Sequence, residues 1–285
     1  MAAGPQSALL PDGKRLHLHY GPIDLVIGAA GTRREVGLAY QQARARFDDI
    51  LPVLVDELAM LRRPVAAPRW RPDGPVARRM MAAAWPHRDV FVTPMAAVAG
   101  AVADEMLAAL VAGRALKTAY VNNSGDIAFH LADGEALTLG MVGDLHRPAI
   151  DGLATLSHDT AVRGVATSGW AGRSHSLGIA DAVTVLAQSA AAADVAATLI
   201  ANAVDAEHPA ITRRPAREID DDSDLGERLV TVSVGDLDRA AIEAALDAGA
   251  RTAEAMRRDG LVEAVVMMVK GESRVVGQPP RAIAA

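Results

Sequence analysis

The hydrophobic residues of this 285-residue chain recur at two different spacings, alternate residues in some stretches and roughly every 3.6 residues in others. The shorter period predicts strands at 16–20 and 23–29. The longer period predicts helices at 33–61, 76–84, 95–112, 190–204 and 239–258. Because both element types alternate in both halves of the chain, the sequence favours an α+β fold. We predict a single domain over 1–275, with two intertwined subdomains as the alternative, and a loose tail over 276–285.

Turn residues divide the remaining strands. The segment AYVNNSGDIAFHLADGEALTLGMV (119–142) predicts a hairpin whose turn is Asp133-Gly134. Short β-rich runs predict further strands at 183–187, 228–234 and 262–271.

Composition excludes several classes of protein. Cysteine is absent, which excludes disulfides, thiolate metal sites and a cysteine nucleophile. The net charge is −6 and the basic residues are scattered in short pairs, so we expect no nucleic-acid partner. Every apolar run is shorter than about 18 residues and the N-terminus does not resemble a secretory signal, so we expect a cytoplasmic protein without membrane association.

An aspartate and a threonine interrupt an alanine-rich helix in the segment ADVAAT (193–198). A spacing of four residues places Asp194 and Thr198 on one face of that helix. Two such oxygen ligands suit Mg²⁺ or Ca²⁺, with water or phosphate completing the coordination shell. The alternative is that Asp194 caps the helix N-terminus and Thr198 only packs.

A Gly-, Ser- and Thr-rich stretch covers 163–182, and such loops expose backbone amides that bind anions. Of the eight histidines, only His175 has this setting, so it is a candidate general base or phosphate ligand. A structural histidine in a turn is an equal alternative.

Two further stretches combine small and polar residues. In VNNSGD (121–126) the polar residues predict either close approach of a ligand or a turn with Asx hydrogen bonds. The small residues of 92–107, which include Ala96, Ala99, Gly100 and Ala103, favour tight packing against the helix that carries them.

Taken in order, these stretches resemble the motifs of the ApbE-like flavin transferase superfamily, over about residues 90–205. In that family an Ala-Asp-Ala-x-x-Thr pattern carries metal ligands, and ADVAAT is similar to it at Asp194 and Thr198. The family's Gly-Gly-Asp strand resembles NNSGD, and its Thr-Ser-Gly run ahead of a histidine resembles 167–169 and His175. The likeness is more specific to an uncharacterised cytoplasmic branch with segments like TPMAAVAGAVAD and GRSHSLGIADAVTVLA.

The resemblance implies an α+β fold with helices packed on largely antiparallel sheets, and it implies Mg²⁺ and FAD or FMN as cofactors. The implied catalytic residues are His175 and Asp126, and the implied metal ligands are Asp194 and Thr198. The cofactor-binding candidates are Asn122, Asn123, Ser124, Gly125, Thr167, Ser168, Gly169, Trp170, Arg173 and Ser174.

The chain also departs from the transferase pattern. The family's Lys and aromatic residue correspond here to Ala99 and Ala101, on either side of Gly100. The family's His-x-Ile-Asp-Pro-x-Thr-Gly run corresponds to HSLGIADA, which implies a loop of another shape. Aromatic residues make up 3% of the chain, and Trp170 is the one best placed in sequence to stack on a flavin ring.

We therefore predict Mg-dependent binding of a phosphorylated small molecule, FAD first, with transfer or cleavage chemistry at its pyrophosphate. One alternative is a noncatalytic flavin- or nucleotide-binding protein. Another is an enzyme of the same fold that acts on a small molecule without phosphate. The sequence leaves open whether the protein forms a homodimer.

Overall fold

The alternation of the two strands that begin at Leu16 and Ile23 places their large aliphatic side chains on one buried face. Leu16, Leu18, Leu25 and Ile27 are each at most 1% exposed in the computed structural model, which describes residues 4–141, 152–172, 174–278 and 282–283. Burying side chains of this size on one sheet face is the main stabilising contribution that such strands make.

The helices are α1 (Arg33–Phe47), α2 (Ile50–Leu61), α3 (Pro75–Ala84), α4 (Val98–Val111), α5 (Ala190–Ala203), α6 (Ala216–Ile219) and α7 (Arg239–Arg258). Short 3₁₀ turns cover Trp85–His87 and Pro94–Ala97. The strands are β1 (Gln6–Leu9), β2 (Leu16–Tyr20), β3 (Ile23–Gly31), β4 (Leu116–Asn123), β5 (Asp126–Leu131), β6 (Ala136–Met141), β7 (Gly152–Ser157), β8 (Gly164–Ser168), β9 (Ala182–Ala187), β10 (Ile211–Pro215), β11 (Leu229–Val234), β12 (Ala264–Val269), β13 (Glu272–Gly277) and β14 (Ala282–Ile283).

The chain divides into two units. Unit 1 comprises Met1–Leu137, Leu156–Val165 and Gln188–Asp194, and unit 2 comprises Thr138–Thr155, Ala166–Ala187 and Val195–Ala285. Strands β6, β7 and β8 and helix α5 therefore each contribute residues to both units. The prediction of a single domain stays a prediction.

Within unit 1 the strands follow the order β1-β2-β3-β4-β5, and the start of β8 pairs with β5. All of these pairs are antiparallel. Helix α4 packs against β4 and β5 and also contacts α1 and α3, so it is the central helix of this unit.

Within unit 2, β9 pairs with β12 and β12 pairs with β13, both antiparallel, and α7 packs on β12 and β13. Strands β10 and β11 form a separate antiparallel ribbon. A three-stranded sheet has the order β14-β7-β6, in which Ala282 and Ile283 pair with β7. The predicted α+β class with largely antiparallel sheets is confirmed. Of the predicted tail 276–285, residues 279–281 and 284–285 lie outside the described part of the chain.

The long helix predicted over 33–61 is wrong, because the chain forms α1 and α2 with Asp48 and Asp49 between them. The reason is Pro52, which has no N–H to donate to the carbonyl of Asp48 and whose ring would clash with that carbonyl in a continuous helix.

The hairpin predicted around Asp133-Gly134 is also wrong, since β5 and β6 lie in different sheets. The hairpin joins β4 to β5 instead, with Asn123 paired to Asp126 across a two-residue turn. Ser124 and Gly125 both have positive φ, 56° and 116°, which is the backbone that tight hairpin turns require.

Among the described residues, one helical segment is long and apolar enough to cross a membrane by length and composition alone. It is Pro94–Val111, with 18 residues and a mean hydropathy of 1.5. In this fold it is the central helix of unit 1, and it carries Asp104 and Glu105. A core helix of a globular protein passes the same test, so the segment says nothing further about a membrane.

Candidate functional site

Helix α5 carries the predicted metal ligands, and its own N-terminus is capped by a residue before them. The hydroxyl of Ser189 accepts a hydrogen bond from the backbone N–H of Ala192 at 3.2 Å. Asp194 is the fifth residue of the helix, so it is not the cap of α5 that the alternative interpretation required.

Asp194 instead caps a different helix. Its Oδ2 atom accepts a hydrogen bond from the backbone N–H of Gly100, in the first turn of α4, at 3.0 Å. In return, Asp104 of α4 accepts hydrogen bonds from the N–H groups of Ala190 and Ala191 at 3.0 and 2.9 Å. Each aspartate thus satisfies backbone donors that the first turn of a helix leaves without an intrahelical partner.

Small residues make this exchange of caps possible. A Cβ atom added to Gly100 would lie 2.2 Å from the carbonyl oxygen of Ala190, so any side chain there would separate the two helices. Gly164 of β8 is equally restricted, because its Cβ would lie 2.1 Å from the backbone nitrogen of Ala190. Tight packing, the reading favoured for the small residues of 92–107, is what these contacts show.

Burial and the charge of Asp104 both make Asp194 harder to ionise. Burial raises the pKa of Asp194 to about 7, the N–H groups of Gly100 and Ala99 oppose that rise, and the nearby charge of Asp104 adds to it. Burial likewise raises the pKa of Asp104 above its ordinary value, against the opposing hydrogen bonds from Ala191 and Ala190 and the positive charge of Arg79. The site therefore disfavours two negative charges, and a nearby cation would stabilise them.

The predicted ligand-contacting residues of 121–126 form the β4–β5 turn of unit 1. The side chain of Asn122 accepts a hydrogen bond from the N–H of Gly125 at 2.8 Å, which is the Asx turn named as the alternative. Asn123 is 5% exposed and donates from Nδ2 to the carbonyl of Ala99 at 3.0 Å, which ties the turn to the start of α4. Contact of Ser124 and Asp126 with a ligand stays a prediction.

In unit 2 the residues of 167–170 are held by the strands and turns beside them. The hydroxyls of Thr167 and Thr184 lie 2.9 Å apart, in hydrogen-bond contact between β8 and β9. Trp170 donates its indole N–H to Oδ1 of Asp181 at 3.1 Å and its backbone N–H to the carbonyl of Ala180 at 2.9 Å. One hydrogen bond thus holds the half-buried indole and the other holds the backbone of the same residue.

The preceding glycine makes that position of the indole possible. A Cβ on Gly169 would lie 2.3 Å from the carbonyl oxygen of Asp181, so only glycine lets the two backbones approach this closely. Ser168, predicted with it, is the half-buried last residue of β8.

The loop around His175 is fastened to α5 by an asparagine. The Oδ1 atom of Asn202 accepts hydrogen bonds from the hydroxyl of Ser176 at 3.1 Å and from the N–H of Leu177 at 2.8 Å. His175 is half-buried and Ser174 is exposed. Arg173, predicted as a cofactor contact, lies outside the described residues.

Thr198, the second predicted metal ligand, is half-buried on α5.

The residues present suit one kind of metal site. Among the described residues, no group of three or more His, Cys, Asp or Glu side chains forms a metal cluster. Mg²⁺ is commonly held by one or two carboxylates, with water and ligand phosphates filling the other positions. Asp194 is half-buried, and a single carboxylate of this kind fits such a partial coordination shell. A metal-binding role for Thr198 stays a prediction.

The predicted residues fall into two groups that the structure describes separately. Unit 1 holds Asp194 and 122–126, and unit 2 holds 167–170, 174–175 and Thr198. The sequence reasoning did not select Asp104, Asp181 or Asn202. A signal for Asp104 was present, because AVAD at 101–104 repeats the pattern of AAAD at 191–194.

A protein-family model described as AbpE bacteria matches residues 7–275 of the chain. Because that match covers most of the sequence, the chain belongs to this family, an ApbE-like branch, as the motifs had suggested.

Curated relatives extend the comparison to archaea. A UPF0280 protein of Methanothermobacter thermautotrophicus is 36% identical over 166 residues, which cover 58% of this chain and 62% of that protein. A UPF0280 protein of Methanopyrus kandleri is 36% identical over 160 residues, 55% of this chain and 61% of that protein. The matched region therefore spans about three fifths of the length of these relatives.

Two solved structures are similar in outline. The apo flavinyl transferase ApbE of Pseudomonas stutzeri has a TM-score of 0.43 and 14% identity, over 97% of this chain and 94% of that chain. The flavin transferase ApbE of Vibrio cholerae has a TM-score of 0.36 and 14% identity, over 95% of this chain and 96% of that chain.

Proposed function

We propose that this protein binds Mg²⁺ and a flavin nucleotide, FAD first, and that it catalyses transfer or cleavage at the pyrophosphate. The flavin assignment rests on the family membership and on the resemblance of NNSGD, TSG and ADVAAT to transferase motifs. The metal assignment rests on the chain's own electrostatics.

The observation that carries the metal is the environment of Asp194. Asp194 is half-buried near the charge of Asp104, and burial raises its pKa to about 7. A divalent cation at Asp194 would offset the negative charge that burial and Asp104 disfavour, and phosphate oxygens would complete its coordination. Thr198 supplies a second, neutral oxygen one turn along α5.

Residues of unit 2 are assigned to the flavin. Trp170 is held by Asp181 through its indole N–H, and its ring is assigned to stack on the planar ring system of the flavin. The backbone amides of the loop that carries Ser168, Gly169 and Ser174 are assigned to phosphate oxygens.

The proposed reaction breaks the P–O bond between the FMN phosphoryl group and AMP. An oxygen nucleophile, water or an acceptor hydroxyl, forms the new bond to phosphorus, His175 takes the proton of the nucleophile, and AMP departs with the bridging oxygen. When bound, Mg²⁺ neutralises the charge that develops on the phosphate oxygens.

Calorimetric titration of Mg²⁺ with FAD present tests the binding assignment. Asp194→Asn keeps an oxygen acceptor for the Gly100 N–H but removes the charge, so we expect at least a tenfold loss of Mg²⁺ affinity, about 1.4 kcal/mol. Asp236→Asn, at an exposed loop position, is the control for the charge change. Equal Mg²⁺ affinity in all three proteins contradicts the metal assignment.

Chromatographic detection of AMP and FMN separates an enzyme from a binder. Wild type should convert FAD to both products in the presence of Mg²⁺, and His175→Gln should bind FAD with unchanged affinity while turning it over at least a hundredfold more slowly. Binding of FAD without turnover in the wild type would favour the noncatalytic alternative. If the protein binds no flavin, the remaining alternative is an enzyme of the same fold that acts on a small molecule without phosphate.

A further inference from the structure

Positive charge is concentrated in one segment of an otherwise acidic chain. Residues 62–89 contain seven arginines against Asp73 and Asp89, a net charge of +5, whereas the rest of the chain carries −11. All seven cations are arginine, and guanidinium groups bind carboxylates and phosphates through paired, planar hydrogen bonds that lysine cannot form.

Most of these arginines face solvent. The exposed members are Arg63, Arg69, Arg71, Arg78 and Arg88. Arg79 is different, because it is ion-paired with Glu105 at 2.9 Å. Within the described part of the chain, Arg63, Arg69 and Arg71 have no carboxylate partner within ion-pair distance. We call the exposed set the arginine surface.

Two of these guanidinium groups are held in place by an aromatic ring. The guanidinium carbons of Arg69 and Arg88 lie 5.2 and 5.0 Å from the centroid of the Trp85 ring, within cation–π distance. Arg88 also donates to the carbonyl of Trp85 at 3.2 Å. Such contacts restrict long side chains before a partner arrives, which lowers the entropy cost of binding.

The backbone beneath the surface is restrained as well. Four prolines at 64, 68, 72 and 75 fix φ along the connector. Val65 is buried and donates its N–H to the carbonyl of Val92 at 2.8 Å. The carboxylate of Glu57 accepts the N–H groups of Asp73 and Gly74 at 2.7 and 3.1 Å. The backbone that carries Arg63, Arg69 and Arg71 is therefore restrained on both sides, and Arg78 projects from α3.

We propose that the arginine surface binds a segment of a partner protein that is rich in Asp and Glu. A short acidic segment can pair with the exposed guanidinium groups of 62–89 while the more distant carboxylates of the chain, beyond the Debye length of about 8 Å, are screened. A nucleic acid or an anionic membrane extends further and meets that remainder. The ring of Trp85 is already engaged by guanidinium groups, so it does not offer a free stacking surface for bases.

Fluorescence anisotropy with a labelled (Asp-Glu)₅ decapeptide tests the proposal. We expect binding to wild type in 50 mM NaCl that weakens at least tenfold in 500 mM NaCl. Arg69→Gln/Arg88→Gln should weaken binding at least tenfold. The matched control, Arg33→Gln/Arg34→Gln, removes two exposed arginines of α1 and should bind as wild type does.

Trp85→Leu keeps every charge and removes the ring, so it should weaken peptide binding by a smaller factor than the double arginine variant. Circular dichroism of each variant checks that the fold is retained. Three results overturn the proposal: no peptide binding in 50 mM NaCl, the same loss in the control variant, or tighter binding of decauridylate or of phosphatidylserine vesicles in 150 mM NaCl. Dimerisation that Arg69→Gln/Arg88→Gln abolishes would also overturn it, since a second copy would then occupy the surface.

Discussion

Asp104 and Asp194 each cap the helix that carries the other. Asp194 accepts the N–H of Gly100 in α4, and Asp104 accepts the N–H groups of Ala190 and Ala191 in α5. The arrangement fixes the two helix N-termini against each other and places two carboxylates, both with raised pKa values, in the same small region of unit 1.

Removing the Asp104 side chain should destabilise the protein. Asp104→Ala leaves the N–H groups of Ala190 and Ala191 without acceptors, so we expect the free energy of unfolding to fall by about 1–3 kcal/mol. Urea unfolding monitored by circular dichroism gives the value. Asp236→Ala, at an exposed position, should change it by less than about 0.5 kcal/mol. A loss no larger than the control's would contradict the capping role.

The raised pKa of Asp194 predicts a pH dependence of stability. Between its ordinary value of 3.8 and about 7, the folded state keeps a proton that the unfolded state has lost. Folding is therefore accompanied by proton uptake, and this group's contribution to stability falls as pH rises through that window and is constant above it.

Asp194→Asn removes the titration while keeping an acceptor for Gly100. The unfolding free energy of wild type minus that of Asp194→Asn should become more negative as pH rises from 4 to 7 and should level off near pH 8. Urea denaturation at half-unit pH intervals measures it. A difference that does not change with pH would show that Asp194 stays ionised in the folded protein.

A pair of glycine substitutions tests the close approach of α4 and α5. Gly100→Ala places a Cβ 2.2 Å from the Ala190 carbonyl oxygen, and we expect it to lower the unfolding free energy by about 1–3 kcal/mol. Gly37→Ala, in α1, meets nothing within 4 Å and should stabilise the protein by about 0.5–1 kcal/mol. Thermal unfolding of the two variants should therefore shift in opposite directions, and a shift in the same direction would refute the packing argument.

The sequence predicted those elements whose signals are local. Helix α7 was predicted over 239–258 and forms Arg239–Arg258, because Asp238 caps its first turn and hydrophobic residues recur along one face. The prediction of one helix over 33–61 was wrong because the hydrophobic periodicity continues across Asp48 and Asp49. The sequence signal for the break is Pro52, two residues after the start of α2. The prediction of a hairpin at Asp133-Gly134 was wrong because a turn signal does not indicate which strands pair with each other.

For the candidate site, sequence reasoning found Asp194 but not what it contacts. Its partner Gly100 lies 94 residues earlier, and no periodicity connects residues at that separation. Asp181 was missed for a similar reason: it holds Trp170 from 11 residues away, through a loop whose shape depends on Gly169. Distant contacts of this kind follow from the packed fold rather than from any local pattern.

The last prediction is that the protein does not transfer FMN efficiently to a protein acceptor, even where it binds FAD. The transferases that its motifs resemble carry Lys, Gly and an aromatic residue where this chain has Ala99, Gly100 and Ala101. Ala101 is 0% exposed, so the fold has no room for a ring at that position.

The missing contacts have a cost in free energy that is large enough to matter. One binding interaction of about 1.4 kcal/mol is already a tenfold difference in affinity, so the loss of a cation and a ring together can reduce useful flavin transfer by about a hundredfold. The assay incubates catalytic amounts of this protein with FAD, Mg²⁺ and a threonine-containing acceptor domain and then measures the acceptor mass, with the Pseudomonas stutzeri flavinyl transferase as the positive control. We expect the acceptor to gain one FMN with the positive control and to stay unmodified with this protein. Complete modification by both would mean that Ala99 and Ala101 do not weaken the reaction and that this chain is an ordinary flavin transferase.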